Sequence, residues 1–489
     1  MRTLIYSFLF ILPFTLLGQS DLDKINGEIT QNSIRGHLEF LASDQLKGRD
    51  TGSEGLEVAA LYAATQFRSY GLEPVNGSYT QQVPFSSFTP PDSSSFKVGD
   101  QVLSYPDDFI VINGRQESMT ATTVDIGYGT EADLEGKDLR FKIAVSLAGD
   151  GVSEDPRDWI AEARAKRKRV KEAGAVALIE IYQSTRIPWR FLKMIGTQSQ
   201  TGLDQGFENT DLPNIWIGTE DEAVLTSLKD EKTPVTFYMD EVERKQFTSD
   251  NVVAMIKGTD PALADEYLIY SAHYDHVGVG NADETGDNIY NGARDNAVGT
   301  SAVLSLAKYF GKNPPKRSSI FVLFTAEEKG LLGSRYFSQN MPVDASDVIY
   351  NLNIDNGGYN DTTIITVIGL TRTEAEGDFQ NACNQLGLTA IEDAAKEQGL
   401  FDRSDNVNFA VLGIPAPTFS LGFKAFDAEI FKYYHQPGDE VETLNLNYIE
   451  KYTKAYILSA ISIANSPKAP FWLEGDKYYE QGKELYGKE

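Results

Sequence analysis

Five short segments of this chain set imidazoles and carboxylates at the ends of predicted elements. Ser271-Ala272-His273-Tyr274-Asp275 closes one apolar run. Phe324-Thr325-Ala326-Glu327-Glu328 closes a second, and Asn353-Ile354-Asp355 a third. Ala293-Arg294-Asp295-Asn296-Ala297 stands just before a helix-like stretch. Tyr433-Tyr434-His435-Gln436-Pro437-Gly438-Asp439 comes much later. Zinc takes imidazole nitrogens and carboxylate oxygens, and a catalytic site leaves one position open. Two zincs about 3.5–4 Å apart need a carboxylate that bridges them. One histidine and one carboxylate per cation, plus a shared carboxylate, make a set of five. His273, Asp295, Glu328, Asp355 and His435 supply that set.

The adjacent pair Glu327-Glu328 is informative. Two carboxylates at the end of an apolar strand repel each other and resist burial. A cation beside one removes that cost and leaves the other free to act as a general base. Each signal alone has a plainer reading. A strand-end aspartate caps the next helix, and a histidine serves as a hydrogen-bonding group. The chain has four histidines, however, at 37, 273, 276 and 435, and two of them close these loops. The joint pattern, in this order and at element boundaries, points to a metal centre.

The surrounding elements must bring the segments together. From about 250 to 465 strand-like and helix-like runs alternate, with strands over 267–272, 319–325 and 348–354 and helices over 298–310 and 331–338. Such alternation predicts an α/β fold with a mixed, largely parallel sheet flanked by helices. Functional groups in such sheets gather at the carboxyl ends of the strands. Residues 33–72 show helical spacing in Ile34, Leu38 and Leu41, and again in Ala59, Ala60, Ala63, Ala64 and Phe67. Ser53 is set to cap the second of these helices.

Between about 80 and 250 the texture changes. Short strand-like runs over 122–126, 141–147, 177–182, 214–217 and 235–238 alternate with turns. They predict a separate, smaller β-rich domain. Its one strong helix, over 159–173, carries Arg164, Lys166, Arg167, Lys168 and Arg169, expected on a solvated face. The predicted division is 21–82 with 248–468 as one discontinuous domain, 83–247 as an insertion, and 469–489 as a surface helix or tail.

The bulk properties bound the function. A chain of 489 residues is too long for one hydrophobic core. Its 71 acidic residues against 44 basic ones give a formal charge of -27, which repels nucleic-acid phosphates. Met1-Arg2, the apolar run 4–17 and Gly18-Gln19-Ser20 predict a cleaved leader over 1–18 and export, periplasmic or secreted. That run is short for a membrane span, and no second span is expected after it. The single cysteine, Cys383, excludes an internal disulfide and fits a buried small hydrophobe.

Taken together, several motifs resemble the family-28 metallopeptidases, the di-zinc aminopeptidases and glutamate carboxypeptidases. They are His273-x-Asp275, Gly292-Ala293-Arg294-Asp295-Asn296-Ala297-x-Gly299, Ala326-Glu327-Glu328-x-Gly330-Leu331-x-Gly333-Ser334, Asp355 and Tyr434-His435. The resemblance covers roughly 33–80 and 250–465. In the insertion, Ala144 to Leu147 followed by Lys168-x3-Glu172-Ala173-Gly174-Ala175 resembles the protease-associated domain that many members carry. The resemblance implies a zinc-exopeptidase fold and two Zn2+ per chain. One zinc would be held by His273 and Asp355, the other by Glu328 and His435, with Asp295 bridging. Glu327 would be the general base, and Asp275 would accept a hydrogen bond from the His273 ring. Tyr434 matches a position that in some members donates to the developing oxyanion; packing is the other reading of a tyrosine there. A cis peptide between Asp295 and Asn296 is also implied.

Two positions depart from the family pattern. Arg294 stands where an acidic residue is common, and its charge is expected to alter substrate contacts. Asn406 in Arg403-Ser404-Asp405-Asn406 stands where the motif Ser-Asp-His has histidine. The implied activity is hydrolysis of terminal peptide bonds in peptide substrates, with an aminopeptidase favoured. Two rivals share the scaffold: a glutaminyl cyclase with one zinc, and an inactive binding or receptor relative. The complete ligand set argues against both.

Overall fold

The computed structural model describes residues 20–153, 156–184, 186–204 and 212–487. The predicted leader lies outside them. The chain divides into two compact units. One combines the residues up to Val83 with those from Ser249 onward; the other is Pro84–Thr248.

The first unit is built on a mixed sheet. Its strands are β1 (Glu243–Ile256, from Ser249), β2 (Tyr267–His273), β3 (Ser318–Phe324), β4 (Val348–Ile354), β5 (Ile364–Ile368), β6 (Thr389–Glu392) and β7 (Thr418–Leu421). The order is β6-β5-β7-β4-β2-β3-β1. The four central strands, β7, β4, β2 and β3, run parallel. β1 and β5 pair antiparallel with β3 and β7. The central strands are near-continuous apolar runs because both faces are covered. In β2, Leu268, Tyr270 and Ala272 enter one core cluster and Ile269 another. In β3, Phe321 and Leu323 oppose Ile320, Val322 and Phe324 in the same way.

The longer helices of this unit are α1 (Asp21–Glu28), α2 (Gln31–Leu41), α3 (Glu54–Ser69), α4 (Gly299–Lys312), α5 (Leu332–Gln339), α6 (Glu376–Asn384), α7 (Leu446–Asn465) and α8 (Tyr479–Tyr486). The helical stretch expected over 33–72 is two helices parted by a tight turn, Asp44–Arg49. Ser53 caps α3 by accepting from Leu56 N, as its position implied. Cys383 is buried in α6. Among the described residues no helix is long and apolar enough to cross a membrane.

The second unit carries an eight-stranded sheet. At its centre Ile143–Leu147 pairs in parallel with Ala177–Ile181, which pairs in parallel with Asn214–Ile217. The basic helix, Pro156–Glu172, is not solvated along its whole basic run. Lys166 is fully buried and lies 2.8 Å from the equally buried Glu180. Arg167 is buried and donates to Asn214 Oδ1 at 2.9 Å. Asn214 and Trp216 also donate to Glu180. A buried carboxylate is retained only where donors surround it, and helical spacing turns Lys166 inward to meet it.

The C-terminal segment, expected as a surface helix or tail, ends in the partly exposed helix α8 and is anchored ahead of it by aromatic side chains. Phe471, Trp472 and Tyr478 are buried in a core cluster with Phe401, Phe409 and Ile414. Trp472 Nε1 donates to the Gly413 carbonyl at 2.8 Å. Interspersed aromatics pin this charged stretch to a core cluster that includes Ile269, Ile320 and Val322 of the sheet. Trp472→Ala is expected to destabilise the first unit by about 3–5 kcal/mol. Urea unfolding followed by tryptophan-independent circular dichroism checks this; a loss below about 1 kcal/mol would mean the segment is not part of the core.

Candidate metal centre

Each donor sits where an element ends. His273 is the last residue of β2, Asp355 follows β4 directly, and Glu327 and Glu328 follow β3 after Thr325 and Ala326. Asp295 lies in the wide turn Ala293–Val298 ahead of α4. His435 lies beyond the short helix Ala428–Phe431. Ala326 (φ 56°) and His435 (φ 52°) hold the left-handed conformation. Residues with side chains adopt it sparsely, and such positions cluster where function constrains the backbone. Gly292 (φ 57°) opens the Asp295 turn, and a Cβ there would overlap the Asp295 carbonyl oxygen. The Asp295-Asn296 peptide is cis.

The five side chains converge. His273 Nε2 lies 3.2 Å from Asp295 Oδ1 and 3.3 Å from Asp355 Oδ1. His435 Nε2 lies 3.2 Å from Asp295 Oδ2 and 3.3 Å from Glu328 Oε2. Ligand atoms at the corners of a tetrahedron, with bonds of about 2.0–2.1 Å to zinc, stand about 3.3 Å apart. The donors thus keep the spacing that tetrahedral zinc imposes, and the residues fit the metal. Asp295 turns one carboxylate oxygen toward each imidazole. A third imidazole joins the cluster. Buried His276 has Nδ1 2.8 Å from Glu328 Oε1. A carboxylate only accepts, so this nitrogen donates, and the other Glu328 oxygen is left facing His435. The remaining His276 nitrogen is buried and has no hydrogen-bond partner among the described residues.

Residues 251–460 match the family model described as Peptidase family M28. This region belongs to that family. The chain is accordingly a metallopeptidase, a hydrolase of peptide bonds. Aminopeptidase YwaD of Bacillus subtilis is 25% identical over 365 residues, spanning 72% of this chain and 70% of that protein. A probable zinc metalloprotease of Pyrenophora teres f. teres is 34% identical over 107 residues, only 22% of either chain. The solved aminopeptidase from Aneurinibacillus sp. strain AM-1 shares the fold at 22% identity and a TM-score of 0.57, covering 92% of this chain and 97% of that one.

Around the M28 donors a layer of contacts acts mainly on the backbone. Asp275 differs from expectation. His273 Nδ1 meets its main-chain oxygen at 3.2 Å, while its carboxylate stands 3.8 Å from that ring. The carboxylate instead accepts the N–H groups of Glu327 (3.1 Å) and Glu328 (3.3 Å) and the Thr51 hydroxyl (3.2 Å). One residue therefore orients both the His273 ring and the Glu327-Glu328 turn. Arg49, fully buried, donates to the carbonyls of Leu41, Tyr274, Asn291 and Gly292. It ties the Asp44–Arg49 turn to two M28 loops. Arg294 does not face substrate as expected. It is buried, bonded to Asp439 and Thr443, and packed on the Tyr433 ring. Asn406 is buried and donates to the Ala416 carbonyl.

The charges of the M28 site are sorted by these contacts. Burial and Asp295 both oppose ionisation of Glu328, yet hydrogen bonds from His276 and His435 hold its carboxyl at about 2. Burial pushes the Glu327 carboxyl well above the usual range; His273 offsets this, and Asp355 and Glu328 add to it. A carboxyl raised in this way binds a proton closer to neutrality, as a general base must. Glu327, Asp355, Tyr434 and His435 line a cleft whose apolar walls include Ile368, Leu400, Phe423 and Phe426. The Tyr434 ring stacks on His435, with centroids 4.1 Å apart.

Sequence alone assigns no role to His276, Arg49 or Asp439. His276 carried one signal, its position three residues after His273 in the same loop. Arg49 carried none, because its partners are main-chain oxygens. Asp275→Asn is expected to weaken metal binding about 10–100-fold, since an amide accepts one N–H group but presents its own N–H to the other. Competition with a zinc chelator measures this; an affinity within twofold of the wild type would remove Asp275 from the support of the Glu327-Glu328 turn.

Proposed function

We propose that this chain is a two-zinc exopeptidase, an aminopeptidase that releases single residues from peptide N-termini. The observation that carries the reading is the Asp295 carboxylate, whose two oxygens lie 3.2 Å from two different imidazoles. A carboxylate shared in this way suits two cations. His273, Asp295 and Asp355 would hold one zinc, and Asp295, Glu328 and His435 the other. When bound, the zincs would supply Lewis acidity to the scissile carbonyl and ease the ionisation of water.

The protein groups do the rest. Glu327 takes the proton of the attacking water and passes it to the leaving amine. Asp275 holds Glu327 in line through its main-chain N–H. Burial keeps the Tyr434 phenol protonated, so its hydroxyl donates to the oxyanion as it develops. The apolar walls of the cleft receive the side chain of the terminal residue. The similarity to aminopeptidase YwaD over 72% of this chain supports cleavage at the amino end. We read the insertion as a protease-associated domain, and the leader as an export signal.

Glu327→Gln should keep both zincs yet lose about 10²–10⁴ in kcat. Elemental mass spectrometry and turnover of an aminoacyl anilide check the two halves; a rate within tenfold of the wild type would take the base role from Glu327. The wild type should carry two zincs and cleave peptides with free N-termini but not their acetylated forms. One zinc with N-terminal cyclisation would favour the transferase on this fold. Release of residues from the carboxyl end would overturn the aminopeptidase assignment.

A further inference from the structure

Two loops of the site are fastened by one buried ion pair. The first runs from Gly292 to Asn296 and holds Asp295; the second runs from Tyr433 to Glu440 and holds His435. Arg294 and Asp439, one from each loop, have side chains 4% and 1% exposed, with Nη1 2.8 Å from Oδ1. The other Asp439 oxygen accepts the N–H groups of Arg294 (2.9 Å) and Asp295 itself (3.2 Å). Ala293 N donates to the Asp439 carbonyl at 3.0 Å. Asp439 thus caps the turn that presents Asp295.

Arg294 completes the clasp from its own side. Nη1 donates to the Thr443 hydroxyl at 2.7 Å, and Nη2 to the Thr443 carbonyl at 3.0 Å. Its guanidinium lies 3.7 Å from the centre of the Tyr433 ring, two residues before His435. The fork and the flat stacking face are both in use, and lysine offers neither. The other end is set by the sheet: His273 and Asp355 leave adjacent parallel strands, β2 and β4, whose ladder sets their separation. The Asp295–His435 pair joins two loops with no ladder between them.

We propose that Arg294 is a positioning residue that sets the Asp295–His435 spacing. It thereby governs metal affinity chiefly on the His435–Glu328 side of the centre, and the His273–Asp355 side feels it only through the shared Asp295. The inference rests on the two-zinc reading. Its chemistry is that of the arginine, whose fork and stacking face are both engaged.

The test is stepwise titration of the metal-free protein with Co2+ in the presence of a competing chelator. The wild type should show two binding steps with distinct visible spectra. Arg294→Lys should weaken one step about 10–100-fold and alter the spectrum of that step. The other step should stay within threefold, and circular dichroism should be unchanged. Asp439→Asn should weaken the same step, and the double variant should lose no more than the worse single variant, as expected for partners in one contact. Two unaltered steps in Arg294→Lys would overturn the proposal. So would an equal weakening of both steps, which a general loosening of the fold produces. A wild type that binds one Co2+ would instead defeat the two-zinc reading, and this inference with it.

Discussion

Acid packed against acid in a buried place is the constraint on which this site rests. Asp275, Asp295 and Asp439 are nearly inaccessible, and Glu327, Glu328 and Asp355 crowd beside them. Repulsion and lost hydration both act to expel such a cluster. It persists because positive or hydrogen-donating groups are interleaved with it. His273 and His435 share Asp295, His276 donates to Glu328, and Arg294 pairs with Asp439. Arg49 adds a further buried cation; burial lowers its pKa to about 10 against the pull of Asp275, Asp295 and Asp439. A pair of divalent cations would complete the balance, and the donor spacings match what such ions require.

The sheet supplies half of the geometry. β2, β3 and β4 end side by side, so His273, the Glu327-Glu328 turn and Asp355 emerge at one edge. The other half comes from loops that no ladder holds. Their order depends on polar groups acting on main-chain atoms: Asp275 on the Glu327-Glu328 turn, Arg49 on Tyr274, Asn291 and Gly292, and Asp439 on Arg294 and Asp295. Asn296 continues the pattern, donating to the Ile354 carbonyl beside Asp355 and accepting from Gly299 N at the start of α4. Held in this way, the donors need little rearrangement on binding metal or substrate.

Regular elements were legible where burial repeats with a period. The strand expected over 348–354 is β4 itself, and that over 214–217 is Asn214–Ile217. The helix expected from 298 is α4, with Val298 already in helical dihedrals just ahead of it. The readings that failed concern charge and irregular chain. Lys166 and Arg167 look solvated in a basic run, yet their partners, Glu180 and Asn214, lie on strands 14 and 47 positions further on. The surface helix expected at the C-terminus is present, and what the sequence did not signal is that Trp472 ahead of it packs against Gly413 and Phe401.

Residue type and order were enough to single out five side chains that converge in the structure, the Glu-Glu pair and an alternating α/β scaffold. Those features follow from local chemistry: ligand atoms, strand-end position and hydrophobic period are all written in short segments. Tertiary structure alone decided how the donors are held. That Asp275 serves two main-chain N–H groups, that His276 faces Glu328, and that Arg294 turns inward to Asp439 are outcomes of loop paths. A loop path is set by contacts between residues far apart in the chain, 145 positions for Arg294 and Asp439 and 243 for Arg49 and Gly292, and by main-chain hydrogen bonds that carry no side-chain signature.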